Sequence, residues 1–131
     1  MKLQFRAAVL GLSALFLAGC SGVVDPSKNQ VENFSGTLNL LAQVDHNFNV
    51  EKNGEVQVRL TSITPNSAAI LGVGLGQPAG STCGIYSVNN IAGVGRDAFG
   101  SSIQKGSWCV RVFDNGTLTA PQNYTLQVSH P

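Results

Sequence analysis

The sequence predicts an all-β, antiparallel fold, a sandwich or barrel, and three observations point there. Apolar and polar residues alternate in short runs such as "VDHNFNV", "VQVRL" and "YTLQV", and a period of two puts one face of a strand on a core and the other in water. Turn signals built from Gly, Asn, Pro and Ser separate those runs at intervals of about 8–12 residues, as in sandwiches and barrels. Past the first twenty residues no segment keeps a helical apolar period, and the 15 glycines and 11% charged residues suit tight turns better than helices.

The chain opens with a basic start, "MKLQFR", followed by the apolar run Ala7–Leu17. That run is shorter than the roughly 20 residues a membrane-spanning helix needs, and it has the length of a signal-peptide core. Next comes "LAGC", residues 17–20, which resembles the bacterial lipobox. The resemblance implies lipid transfer to the Cys20 thiol, cleavage before Cys20 and acylation of the new N-terminus, with residues 1–19 removed as a lipoprotein signal peptide. Ordinary secretion with a chance cysteine, or a short membrane anchor, are the alternative readings. Ser21 follows the lipid cysteine and resembles the class sorted to the outer membrane of Gram-negative bacteria, so the expected location is the cell envelope, outer membrane, facing the periplasm. Loss of Lys2 and Arg6 leaves six cations against seven acids, a net charge of −1 in place of +1. Neither sign dominates, so no footprint for nucleic acid is visible. With Cys20 lipidated, Cys83 and Cys109 remain as an even pair in an oxidising compartment, where a disulfide is expected. A redox or nucleophilic thiol is the alternative.

Residues 20–33 read as the lipidated cysteine and a tether, and 34–131 as the folded domain. Val44, His46, Phe48 and Val50 share one strand face. Asn53-Gly54 is the strongest short hairpin signal, since both residues tolerate positive φ. Val56, Val58 and Leu60 then share the inner face of the next strand. Pro65–Ser67 breaks the chain, and "AAILGVGLG" is apolar enough to lie centrally in a sheet. "QPAGSTCG" reads as a loop. "IYSVNNIAGVGRDAFGSSI" reads as one or two short strands with a loop. In "GSWCVRVFD", Trp108, Val110 and Val112 point to one side, into the core, and Cys109, Arg111 and Phe113 to the other, so Cys109 is placed to reach Cys83. "NGTLTAPQN" is a long turn, and Tyr124, Leu126 and Val128 face inward.

Three stretches, "VDHNFNVEKNGEVQVRLTS", "AAILGVGL" and "GSWCVRVFDNGTLTAPQNYTLQVSH", together resemble the bacterial pre-peptidase C-terminal (PPC) domain family. The resemblance covers the chain from about Phe34 onward. It implies a single jelly-roll-like β-sandwich and no catalysis. The family sits beside a catalytic domain, which this chain lacks, and usually carries Tyr where this chain has Trp108. Collagen-binding relatives hold Ca²⁺ through acids near the domain start. Here only Asp45 and the scattered Glu32, Glu51 and Glu55 are present, too few to carry that site over.

The remaining constellations read as structural. Asp45, Asn47 and Asn49 mimic the opening of an EF-hand loop, but Val50 and Val56 stand where that loop needs Gly and Glu. The "GVGLG" and "GVG" glycines open no helix in a βαβ unit, so they mark bulges or close sheet contacts in place of a phosphate cradle. Of the two histidines, His46 is expected as a hydrogen-bonded or rim residue. His130, next to last, is expected to be mobile. No catalytic set, metal site or cofactor motif follows from these residues. The expected function is therefore a non-catalytic envelope lipoprotein, held on the membrane by its N-terminal lipid and binding a protein or glycan through the three loops "QPAGSTCG", "NNIAGVGRDAFG" and "DNGTLTAPQN". Tyr86, Arg96, Asp97 and Phe99 are the candidate contact residues. A structural or stress-related lipoprotein without a ligand is the alternative, with a small hydrolase behind it.

Overall fold

The computed structural model describes residues 26–131. The expected signal peptide, Cys20 and Ser21 lie outside the described residues. After a 3-10 turn at Pro26–Lys28 come eight strands: β1 (Gln30–Leu38), β2 (Gln43–Val50), β3 (Gly54–Thr64), β4 (Leu71–Ala79), β5 (Thr82–Ala92), β6 (Asp97–Ile103), β7 (Gly106–Phe113) and β8 (Gln122–His130). They form two four-stranded sheets, ordered β1-β8-β3-β6 and β2-β7-β4-β5. All pairings are antiparallel, and four of them nest: β1 with β8, β2 with β7, β3 with β6 and β4 with β5. The chain is thus one long double ribbon folded over itself, which is the jelly roll. Its single hairpin is at the ribbon's tip, where Gly80, at φ +64°, and Ser81 join β4 to β5.

This nesting corrects three local readings. Asn53-Gly54 makes no hairpin, because β2 and β3 lie in different sheets. Burying Val50 and Val56 in one core outweighs the turn preference of the pair, and neither residue takes a positive φ. Asn53 Oδ1 instead accepts the Lys105 N–H (2.8 Å), tying two crossings together. "QPAGSTCG" is not a loop but the hairpin itself, with Gln77–Ala79 paired to Thr82–Gly84. Pro78 is harmless in this inner strand because β7 pairs β4 only from Gly72 to Gly76, so the missing N–H leaves no ladder bond unmade. Gln30–Asn33, assigned to the tether, belong to β1 and pair with His130–Gln127.

The inward faces follow the alternation. Val56, Val58, Leu60, Tyr124, Leu126 and Val128 meet Phe48, Val50, Leu71, Val73, Val110 and Val112, all at most 5% exposed. Trp108 departs from expectation. It packs at the rim of this core, half-buried, because its indole N–H must reach the Gln104 carbonyl (2.8 Å) in the β6–β7 crossing. His130 is a second departure. Its ring is fully buried, 2.8 Å from Glu32 Oε1 and tilted against Phe48, because β8 stays paired with β1 to that residue. His46 stands at the rim as predicted, stacked on Phe34 and hydrogen-bonded to the Tyr124 hydroxyl (2.7 Å). Burial holds the His46 imidazole below its ordinary value, against the pull of Asp45. Burial, with Asp45 adding to it, pushes the Tyr124 phenol up to about 12.

On β4 the alternation is Leu71, Val73 and Leu75 inward, Gly72, Gly74 and Gly76 outward, all buried. The Phe113 ring lies on Gly72 and Ile85 on Gly74. At Gly76 it is the β5 backbone that closes in: a Cβ there would run into the Gly84 carbonyl oxygen. Strands two places apart in a flat sheet stand about 9–10 Å apart, too far for a disulfide. Here β5 curls over Gly76, the ladder shifts register between Leu75 and Gly76, and Cys83 bonds Cys109 across β4 with Cα atoms 5.8 Å apart. Gly76→Ala is expected to cost about 3 kcal/mol, since a backbone oxygen has nowhere to go. Gly74→Ala, which meets only the movable end of Ile85 at 2.9 Å, is expected to cost about 1 kcal/mol. Urea unfolding of both variants reads the difference, and equal losses would contradict the curl as the reason for Gly76.

A charged clamp supports the same corner. Asp45 and Arg111 are directly opposed on β2 and β7 and pair through two bonds, 2.6 and 2.8 Å. Asp45 Oδ2 also accepts the Cys83 N–H (2.9 Å), and Arg111 donates to the Thr82 hydroxyl (2.6 Å). The Arg111 hydrogen bonds, above all, hold the Asp45 carboxyl below its usual range. The acid that opened the EF-hand-like stretch is thereby committed to an arginine.

Candidate functional site

Four crossings meet at one end of the sandwich: residues 39–42 (β1–β2), 65–70 (β3–β4), 93–96 (β5–β6) and 114–121 (β7–β8). The sheet orders place them side by side, β1–β2, then β7–β8, then β3–β4, then β5–β6. The start of β1, the end of β8 and the β4–β5 hairpin lie at the opposite end. There Glu51 N–H donates to the Pro131 carbonyl.

Eight large apolar residues are exposed among the described residues, and five stand at or beside these four crossings: Leu40, Leu41, Ile70, Ile91 and Val94. Leu41 is 80% exposed and sits at φ +56°, a conformation that costs an L-residue about 1–2 kcal/mol. Asp114 imposes it. This buried carboxylate accepts the Leu41 N–H at one oxygen (2.8 Å) and the Gly116, Thr117 and Leu118 N–H groups at the other (2.9–3.1 Å). Those four bonds, Leu41's foremost, hold its pKa below the ordinary 3.8. One side chain therefore shapes both the β1–β2 turn and the β7–β8 loop.

Further bonds join the loops to each other. Asn115 donates to the Asn90 carbonyl (2.8 Å), Thr117 to the Ile70 carbonyl (3.0 Å), and the Asn66 N–H to buried Gln122 (2.9 Å). Between them run two adjoining grooves of about 390 and 190 Å³ that share Ala68, Ala69, Ile70 and Ile91. Asn66, Asn90, Asn115 and Thr119 rim the larger, and Arg96 lines the smaller.

The four candidate contact residues do not form one site. Arg96 stands at the loop end. Asp97 opens β6 and is paired with Arg59 (2.7 Å) and Gln57 (2.8 Å). Phe99 packs against the core. Tyr86 lies on β5 toward the opposite end, 68% exposed, its hydroxyl on Gln77 and its ring edge-on to Trp108. Of the three loops expected to bind, the ones around residues 93–96 and 114–121 do come together. Leu40, Leu41, Ile70 and Asp114 were not singled out from the sequence. The available signal for Asp114 was "DNGTL", an acid placed to accept N–H groups two to four residues on.

Cys83 and Cys109 form the expected disulfide. Cys20 lies outside the described residues. Among the described residues no three of His, Cys, Asp and Glu gather to hold a metal ion.

No protein-family model and no curated protein matches the chain. Among solved structures it is similar to the Yersinia pseudotuberculosis-derived mitogen (YPM), with 18% identity and a TM-score of 0.54 over 79% of this chain and 87% of that one. At that identity the likeness is one of fold.

Proposed function

We propose that this protein is an envelope lipoprotein, anchored through Cys20 in the outer membrane, whose sandwich is a non-catalytic module that binds a protein partner through the loop end. The observation that carries the binding half is the gathering of Leu40, Leu41, Ile70, Ile91 and Val94 on rigidly bonded loops, where solvent-facing polar residues are the ordinary expectation. The leader and "LAGC" carry the anchoring half. The two halves fit together. The anchor joins the domain at the start of β1, nine residues and about 30 Å of strand from the loop end, so the loops project away from the anchoring membrane. A protein is favoured over a glycan because no aromatic ring lines either groove. The histidines, His46 on Tyr124 and His130 on Glu32, occupy the β1–β2 edge, apart from the loops, which favours binding over hydrolysis. A ligand-free structural role has one observation behind it: among the described residues every buried side-chain polar atom already has a partner.

Two arms of one cell experiment test the proposal. Wild-type protein is expected to take up labelled palmitate and sediment with membranes, and Cys20→Ala to do neither. A photo-crosslinking residue at position 41 or 91 is expected to give a discrete adduct that the same residue at position 57, on the outer face of β3, does not. Membrane retention by Cys20→Ala would remove the anchoring half, and equal labelling from all three positions would remove the binding half.

A further inference from the structure

Resting on the loop-end reading, we propose that the grooves there recognise an extended aliphatic peptide segment of the partner that carries a carboxylate beside its apolar side chains. The groove floor supplies the first half of that chemistry. Ala68 and Ala69 are small, Ile70 and Ile91 flank them, and no aromatic face is offered to a sugar ring. Apolar side chains of an extended segment bury against such walls, while its backbone still needs hydrogen-bond partners. The rim provides them. Asn66 uses its oxygen on the Ala68 N–H and keeps its amide donor. Asn115 uses its donor on the Asn90 carbonyl and keeps its oxygen. A donor and an acceptor thus border one groove, matching the alternation of N–H and C=O along an extended chain.

Arg96 supplies the second half. It lines the smaller groove and takes part in none of the ion pairs among the described residues. Its neighbour Asp97 is committed to Arg59 and Gln57. Asp114, the one acid in the four crossings, is buried and saturated by four N–H groups. A guanidinium left over beside an apolar groove selects a carboxylate, which it can hold through two parallel bonds.

The same charges argue against two other occupants. A second copy docking by this end would bring another Arg96, and the one exposed acid beside it, Asp97, is already paired with Arg59 and Gln57. A membrane surface is drawn by clusters of cations, and the four crossings hold one, on the end away from the expected anchor.

The test is selection of phage-displayed random linear peptides on the purified full chain, followed by calorimetric titration of the enriched sequences as synthetic peptides. Enriched peptides are expected to place Leu, Ile or Val next to Asp, Glu or the peptide's own C-terminus. Arg96→Gln is expected to weaken their binding about tenfold and to remove its salt dependence. Ile91→Ser should weaken it with the melting temperature kept, because that side chain is 76% exposed. Enrichment of peptides without a carboxylate, or indifference to Arg96→Gln, would overturn the proposal. So would binding to phosphatidylglycerol–phosphatidylcholine vesicles with no peptide bound. Discrete crosslinks at positions 41 and 91 without any peptide enrichment would end the peptide proposal and leave the partner surface standing. Loss of both would end both.

Discussion

Replacing Cys83 and Cys109 together by alanine is expected to lower stability by about 3.5 kcal/mol, about a third of the total at the middle of the usual range of about 5–15 kcal/mol. The sequence separation of 26 residues sets the loop that the unfolded chain regains. Loss of the two sulfurs at positions at most 4% exposed leaves a small cavity, a lesser cost that acts in the same direction. The disulfide also works on a particular object, the β4–β5 hairpin tip curled over Gly76. The Asp45–Arg111 clamp holds the same tip through Thr82 and the Cys83 N–H, so the two devices are expected to couple. Urea unfolding of the wild type and the double alanine variant should show the midpoint falling with m unchanged or slightly raised, because the uncrosslinked chain expands. Arg111→Met leaves the Asp45 carboxylate without its cation and should destabilise more when the disulfide is absent than when it is present. A loss under about 1 kcal/mol on removing the disulfide would mean that the clamp alone secures the hairpin.

The strands themselves were legible because burial writes a period of two into the chain. Val56, Val58 and Leu60, and Tyr124, Leu126 and Val128, face inward as read. Their partners were not legible, since pairing is decided far along the chain. Asn53-Gly54 carries the local chemistry of a hairpin, yet β2 lies along β7 and β3 lies along β8 and β6. Gln30–Asn33 resembled a tether because an edge strand with a solvated outer face needs little apolar content, and its order comes from the ladder with β8. His130 looked mobile by position alone, whereas the same ladder buries it beside Glu32. The loop end was half visible. Two of its crossings read as binding loops, but Leu40 and Leu41 precede the first clear alternation at Val44 and belong to no pattern. Only the fold brings them into line with Ile70 and Ile91.

Asp114 is where fold and proposed site depend on one side chain. Asp114→Ala leaves four backbone N–H groups in the loop end without their acceptor. Bonds to a charged group contribute about 1.5–3 kcal/mol each singly, but one carboxylate shares these four and water can enter the opened loops, so a loss of about 3 kcal/mol is expected. Asp114→Asn separates the two loops. Its remaining oxygen can still serve Gly116, Thr117 and Leu118, while its NH₂ now confronts the Leu41 N–H, donor against donor. That variant should lose about 1–2 kcal/mol, release Leu41 from its left-handed conformation and keep the 114–118 loop. The pH dependence carries the sign. The folded pKa is held below the 3.8 of the free group, so the contribution is complete above about pH 3.8 and is lost as pH falls through the folded value. The gap in urea midpoint between wild type and Asp114→Ala is therefore expected to be constant from pH 7 to about pH 4 and to close below it. Asp45, also depressed, titrates in the same window but is common to both proteins and cancels in the difference. A gap that stays constant down to pH 2 would show that the carboxylate's charge is not what holds Leu41 in place, and the loop end would lose the fixed geometry on which its proposed recognition rests.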